Sequence, residues 1–262
     1  MTSVIVTGST RGIGYGLADA LLSLGCAVTV SGRNQKDVDQ AAANLSRNHK
    51  PGNILGIACD VTRFEQVQTL WDATKTRTGR VDIWINNAGL SHPTASLWEQ
   101  TPEVLRQVIE TNVIGAVYGS AVAVQGMLRQ GFGSIYNMEG MGSDGRRVRG
   151  VTLYGTTKYA LAYLTDALVE ETKGTAIIVG AIRPGMVITD LLTKPLEGRP
   201  EAWERARPIF NILAERVETV TPWLARQILA NKKPGVRIRW LTPQKMIGKF
   251  LFAPFRKRDL FN

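Results

Sequence analysis

Short apolar runs rich in β-branched residues alternate along the chain with longer amphipathic stretches, and the runs show little of the in-out alternation of a half-exposed strand. Such runs at 4–7, 27–31, 54–58, 83–86, 134–138, 176–182 and 236–241 predict strands buried on both faces with a helix between each pair. That pattern is a doubly wound α/β domain of about seven parallel strands. From Gly14, Leu17, Ala18, Leu21 and Leu22 recur at helical spacing until Gly25 stops the turn. A second stripe runs through Val104, Leu105, Val108, Ile109, Asn112, Val113, Ala116 and Val117, and its one amide, Asn112, requires a buried partner. The stretch 190–217 is helical without a strand directly behind it, which predicts a lid over the carboxyl ends of the strands. One domain, 1–243, thus carries all but a tail, 244–262.

Composition changes this picture in one respect. The 262 residues, 44% apolar and 21% charged, suit one ordinary α/β domain and exclude disordered, collagen-like and small disulfide scaffolds. No apolar run approaches the roughly 20 residues of a membrane span. The net charge, however, is +10, and between Glu218 and Asp259 there are ten basic residues and no acidic one. Cys26 and Cys59 sit in apolar runs and read as small core residues. His49 and His92 show no ligand spacing, so no metal is expected, and both are placed at the surface or in loops. The first strand begins by residue 4, which leaves no room for a targeting peptide within this numbering, so the expectation is a cytoplasmic or stromal-type compartment, the alternative being a leader removed before residue 1.

Directly after the first strand stand Gly8, Ser9, Thr10, Arg11, Gly12, Ile13 and Gly14, leading into a helix. Glycines at 8, 12 and 14 allow a tight turn and let backbone amides approach a pyrophosphate at the positive end of the helix, the signature of a Rossmann dinucleotide site. At the end of the second strand, where an acid would bind ribose hydroxyls, the chain has Arg33 and Asn34. Arg33, with Arg11, suits a 2′-phosphate, so the expected cofactor is NADPH/NADP+. Tyr154 and Lys158, at i and i+4, share one helical face. A phenol beside an ammonium is a candidate general acid and base.

Taken together, the glycine loop, Asn86-Asn87-Ala88-Gly89, the helical Asn112, Tyr154-x-x-x-Lys158 and Arg183-Pro184-Gly185-Met186-Val187-Ile188-Thr189 resemble the short-chain dehydrogenase/reductase family over nearly the whole chain. The resemblance implies that Tyr154 passes a proton to a carbonyl oxygen, that Lys158 holds the nicotinamide ribose and lowers the Tyr pKa, and that Asn112 supports a proton-relay water. It further implies contacts from Asp60 and Val61 to adenine, from Asn87, Ala88 and Gly89 to ribose, and from Pro184, Gly185, Val187 and Thr189 around the nicotinamide amide. Related enzymes are commonly homo-dimers or homo-tetramers.

One family position departs. Glu139 and Gly140 stand where the family has a pair of serines, the second of which polarises the carbonyl. Ser143 is the nearby alternative, as a catalytic substitute or merely as a turn residue before Asp144-Gly145. The run from Asn137 to Gly145 and the later Pro184-Gly185-Met186-Val187 segment are similar to those of the chlorophyll b reductases. That likeness implies NADPH-dependent reduction of the 7-formyl group to hydroxymethyl; the alternatives are another hydrophobic aldehyde or ketone, or a dinucleotide-sensing protein without turnover. Trp98, Trp203, Phe210, Leu213 and Trp223 are candidates for a wide apolar mouth. The tail joins Phe250, Phe252 and Phe255 to Arg256, Lys257 and Arg258, which suits an anionic membrane surface, the alternative being packing on the protein itself or a partner subunit. No nucleic-acid recognition pattern accompanies the charge.

Overall fold

In the computed structural model, which describes residues 1–255 and 258–261, the chain begins β1 (Ser3–Val6), α1 (Gly12–Ser23), β2 (Ala27–Gly32), α2 (Gln35–Leu45), β3 (Ile54–Ala58), α3 (Phe64–Thr78) and β4 (Ile83–Asn86). It continues with α4 (Pro102–Ile109), α5 (Gly115–Gln130), β5 (Gly133–Met138), α6 (Thr152–Glu171) and β6 (Ile177–Arg183). The last elements are α7 (Asp190–Thr193), α8 (Pro200–Leu213), α9 (Val217–Ala230), β7 (Arg237–Arg239) and α10 (Pro243–Phe252). All strand pairs are parallel, in the order β3-β2-β1-β4-β5-β6-β7. The fold is the expected doubly wound Rossmann type. Its strands fall where the apolar runs do, because parallel strands covered on both faces are mostly apolar and admit a polar side chain only where it finds a buried partner.

The order reverses between β1 and β4, and at such a switch point the carboxyl ends of the strands are where doubly wound sheets bind their ligands. Two apolar layers sandwich the sheet. One holds Val4, Val6, Leu17, Leu21, Val28, Tyr136 and Leu224; the other holds Ile5, Trp71, Trp84, Val122, Met127 and Ile135. Close helix approaches rest on glycine: a Cβ at Gly16 would lie 2.3 Å from Val217, and one at Gly126 2.1 Å from the Trp71 ring. Cys26 and Cys59 are buried, unpaired and pushed up to about 11 and about 12 by burial, in keeping with core roles.

Polar side chains tie β4 and β5 to the helices that carry the site. Asn86 donates to Asn137 (2.8 Å) and Ser120 (3.0 Å) and accepts from the Trp84 indole (2.6 Å), and Asn137 donates to Thr165 of α6 (3.0 Å). These groups are buried and mutually satisfied, so they fix register as well as contribute stability.

The tail folds back. Lys249 and Arg258 both bind the Glu215 carboxylate, Arg207 binds Asp259 at 2.8 Å, and Phe261 packs against Trp203 and Phe210 with ring centroids 5.0 and 6.1 Å away. The rings expected to line a mouth are therefore turned onto the tail. Trp223 is removed from the mouth altogether, edge-on to Trp240 at 5.5 Å, with Lys245 over Trp240. Leu213 is buried and Trp98 is exposed. The outer face of α10 and the turn after it remain exposed at Ile247, Phe250, Leu251, Phe252 and Phe255. Arg256 and Lys257, part of the expected basic cluster, lie outside the described residues, and among the described residues no helix is long and apolar enough to cross a membrane.

Candidate active site

The glycine loop turns sharply because Gly8 and Gly12 adopt φ of +61° and +58°, a region closed to most side chains. A Cβ at Gly8 would collide with Ala88 at 2.7 Å, and one at Gly14 with the Asn87 amide at 2.4 Å, so the loop seats directly on the end of β4. Asn87 completes the seat by donating to the carbonyls of Thr7 (2.8 Å) and Gly8 (3.0 Å). Arg11 stands at the N-cap of α1 and its side chain makes no capping bond, which leaves the first amides of α1 to an anion. Ile13 is the second residue of that helix and packs on the core.

Other expected cofactor residues fall around this loop. Ser9 is internal: its hydroxyl donates to Val6 O (2.6 Å) and accepts from Ser31 N (2.9 Å), joining β1 to β2. Thr10 lies against Gly32, where a Cβ would come within 2.7 Å of its methyl, so it borders the end of β2 and exposed Arg33. Asn34 caps α2 by accepting from Lys36 N. Arg11 is paired with Asp190 at the start of α7 (3.2 Å), and no bond brings it to Arg33. Asp60 accepts from Thr62 in a local turn, and Val61 packs against Gly115. Thr189 faces Gly12, Val187 is buried in a bridge to Glu215, and Gly185, with Pro184 before it, turns with φ +76° against Leu241. This surround of close backbone and small side chains fits a dinucleotide.

The chemical end is built on α6. Lys158 is buried, and its ammonium donates to Met138 O at 2.8 Å; its Nζ lies 5.5 Å from the centre of the Tyr154 ring. The Tyr154 hydroxyl lies over Gly140, where a Cβ would come within 2.7 Å of it. Asn112 sits in a π-helical turn (Glu110–Ile114) between α4 and α5, accepts from Leu90 N (2.7 Å), and donates to Leu90 O (2.9 Å) and Thr157 Oγ1 (3.0 Å). A wide turn of this kind inserts one extra residue and re-aims the amide inward. Gly89 completes the group, a Cβ there lying 3.4 Å from Asn112 Oδ1 and 3.7 Å from Lys158 Nζ. Ser143 is buried, and its hydroxyl donates to Gly140 O at 2.7 Å.

One expectation needs correction. Burial raises the Tyr154 phenol above its ordinary value and outweighs the lowering expected from the Lys158 ammonium, which donates to a backbone carbonyl. Tyr154 is thus a protonated donor at neutral pH. His92 lies in the loop after β4, one of its two expected settings, but is buried there, and its Nε2 accepts the Tyr154 backbone N–H at 3.2 Å. With Nε2 accepting, Nδ1 carries the proton and donates to Pro93 O at 2.8 Å. His92 thereby satisfies an orphan amide in the first turn of the helix that carries Tyr154. His49 bonds Asp19 at 2.7 Å. The loops of 90–96 and 141–151 meet through Ala95 N and Gly150 O, and Thr94 N reaches Pro195 O in the 190–217 stretch, so three segments are tied together.

Burial without a full set of partners depresses Lys158 to about 8, and the charge of Glu139 works against that fall. A lysine held below its ordinary value opposes folding while the ammonium must be buried charged. The penalty is present in full below pH 8 and is relieved as pH rises from about 8 toward 10.5. Urea unfolding of the protein at pH 8 and pH 10 is expected to show this term as a gain in stability that Lys158→Met lacks. Equal pH dependence in the two proteins would rule out a strained Lys158.

Residues 2–199 match the family model described as short chain dehydrogenase. A probable chlorophyll(ide) b reductase of Arabidopsis thaliana, named as chloroplastic, is 34% identical over 276 residues, covering 99% of this chain and 54% of its own length. This chain therefore spans about half of that relative. A chlorophyll(ide) b reductase of Oryza sativa is 35% identical over 257 residues, covering 94% of this chain and 73% of its own. Among solved structures, a variant of actinorhodin polyketide ketoreductase with NADPH superposes with a TM-score of 0.79 at 26% identity, covering 91% of this chain and 95% of that one. A serine dehydrogenase with NADP+ reaches 0.80 at 23% identity, covering 93% and 96%, and supports the fold alone.

Proposed function

The chain belongs to the short chain dehydrogenase family, and from that premise we propose that it is an NADPH-dependent reductase converting the 7-formyl group of chlorophyll b, or of chlorophyllide b, to hydroxymethyl. The observation that carries the chemistry is the convergence of protonated Tyr154, buried Lys158 and Asn112 beside Gly89 at the carboxyl end of the sheet. NADPH supplies the hydride. The amides at the start of α1 would hold its pyrophosphate, Arg33 would suit its 2′-phosphate, and residues of 184–189 would border the nicotinamide end. Tyr154 gives its proton to the carbonyl oxygen as the carbon is reduced, and Lys158 keeps positive charge next to the phenolate that forms. The balance is aldehyde plus NADPH plus one proton to alcohol plus NADP+.

Likeness to two chlorophyll(ide) b reductases along nearly all of this chain supports the pigment as substrate, and their names support a plastid location. The test mixes the full chain with chlorophyll b or chlorophyllide b and either NADPH or NADH, and follows pigment absorption. Conversion is expected with NADPH in preference to NADH. Tyr154→Phe is expected to lose about 10²–10⁴-fold in rate while NADPH still binds. No conversion of either pigment, with NADPH bound, would assign the site to another hydrophobic carbonyl or to dinucleotide sensing; preference for NADH would remove the role given to Arg33.

We further propose that the exposed face of α10 rests on an anionic lipid surface. Ile247, Phe250 and Leu251 are exposed at helical spacing on α10, Phe255 is exposed just after it, and the helix carries Lys245 and Lys249 and no acid, so apolar surface stands beside positive charge as an anionic lipid surface requires. Co-sedimentation with anionic vesicles is expected for the full chain and is expected to be lost in Ile247→Glu/Leu251→Glu. Binding that survives these changes, or their conversion of a dimer to a monomer, would overturn the assignment.

A further inference from the structure

Glu139 is a carboxylate with no exposed side-chain surface, standing one residue past β5. Burial of such a charge is costly unless its partners are excellent. Here the Arg183 guanidinium binds one oxygen and Arg237 Nε binds the other at 3.2 Å. Arg237 also forks onto both oxygens of Asp166 in α6, at 2.8 Å each. Arg183 reaches on to Ser143 O, while Ser143 donates to Gly140 O. The carboxylate therefore joins the ends of β5, β6 and β7 to the helix that carries Tyr154 and Lys158.

The residues on either side of Glu139 touch the chemistry. Met138 O receives the Lys158 ammonium, and Gly140 passes beneath the Tyr154 hydroxyl. A Cβ at Gly140 would crowd that hydroxyl at 2.7 Å, so this position carries no side chain that could orient the phenol. The backbone itself must be held.

We propose that Glu139 is the positioning residue of the site: gripped by Arg183 and Arg237, its carboxylate fixes the 138–140 backbone against Lys158 and Tyr154 and sets a negative charge behind the Lys158 ammonium. The charged and titratable groups around it are Arg183 on β6, Arg237 and Arg239 on β7, Tyr154, Lys158 and Asp166 on α6, and Asp144 and Arg146 in the loop after Gly140. Arg237 and Arg183 are drawn toward the carboxylate, and Asp144 is paired with Arg146, so Glu139 is the acid that acts on Lys158. The role in turnover rests on the reductase reading, but the charge does not.

The experiment titrates the full chain labelled with 13Cε-lysine by NMR, with Lys158 assigned by the signal missing from Lys158→Met. In Glu139→Gln, which keeps shape and an acceptor for the arginines, Lys158 is expected to lose its proton at a pH lower by roughly 1. The alkaline limb of kcat is expected to move the same way, with kcat down about tenfold or more and the KM for NADPH within about twofold of the parent. Arg237→Gln leaves the carboxylate held by Arg183 and removes a positive neighbour, so Lys158 is expected to titrate at higher pH. Opposite shifts from two substitutions in one network would not arise from loosened structure alone. If Glu139→Gln does not accumulate folded, Arg237→Gln decides: a Lys158 titration and kcat equal to the parent overturn the proposal. Equally, a folded Glu139→Gln with an unmoved Lys158 overturns it. Failure to turn over any carbonyl, with the NMR shifts as expected, would count against the reductase reading and leave the charge assignment standing.

Discussion

A single buried hydrogen bond, from the Lys158 ammonium to the Met138 carbonyl, organises the chemical end of this molecule. It joins the helix that bears the proton donor to the strand end over which that donor lies. A buried ammonium with one backbone acceptor is a strained group, and the depression of Lys158 to about 8 is the measure of it. The surroundings keep it in place. Asn86 and Asn137 pin β4 and β5 to the neighbouring helices, His92 secures the first turn of α6, and Glu139 with its two arginines locks the far side. Rigidity of this kind suits a site whose chemistry depends on placing a hydride donor and a proton donor on one carbonyl.

The cofactor end obeys a different constraint. There the glycine loop has to come close to the end of β4, and contact of Gly8 with Ala88 and of Gly14 with Asn87 seats the start of α1 there. Ion pairs hold the 190–217 stretch and the tail: Arg11 meets Asp190 at one end, while Glu215 gathers Lys249 and Arg258 at the other. The tail is seated on α8 through Phe261 against Trp203 and Phe210.

Much of the fold was legible in the sequence, because strands covered on both faces are predominantly apolar and the intervening helices carry one apolar stripe. The runs at 54–58 and 83–86 coincide with β3 and β4 residue for residue, and Asn112 was marked as a buried amide in need of partners. Contacts made across long separations were not legible. His92 reads as a loop residue before proline, since the amide it accepts lies 62 residues on. Glu139 reads only as a missing serine, since Arg183 and Arg237 lie 44 and 98 residues away. The aromatic residues of 190–217 were read as a mouth for the same reason: the ring that covers Trp203 and Phe210 is Phe261, close to the chain end. The π-helical turn at Asn112 left no trace in a pattern of apolar spacing, because one inserted residue shifts the stripe by less than a helical turn.

The central claim is that hydride reaches a formyl carbon in the same event that protonates its oxygen from Tyr154. It is tested most directly by turnover of chlorophyllide b with NADPH deuterated at the transferable position of C4, followed by mass analysis of the pigment. The account predicts one deuterium on the new hydroxymethyl carbon with the parent protein and no product from Tyr154→Phe. Alcohol formed without deuterium, or formed equally well by Tyr154→Phe, would contradict it.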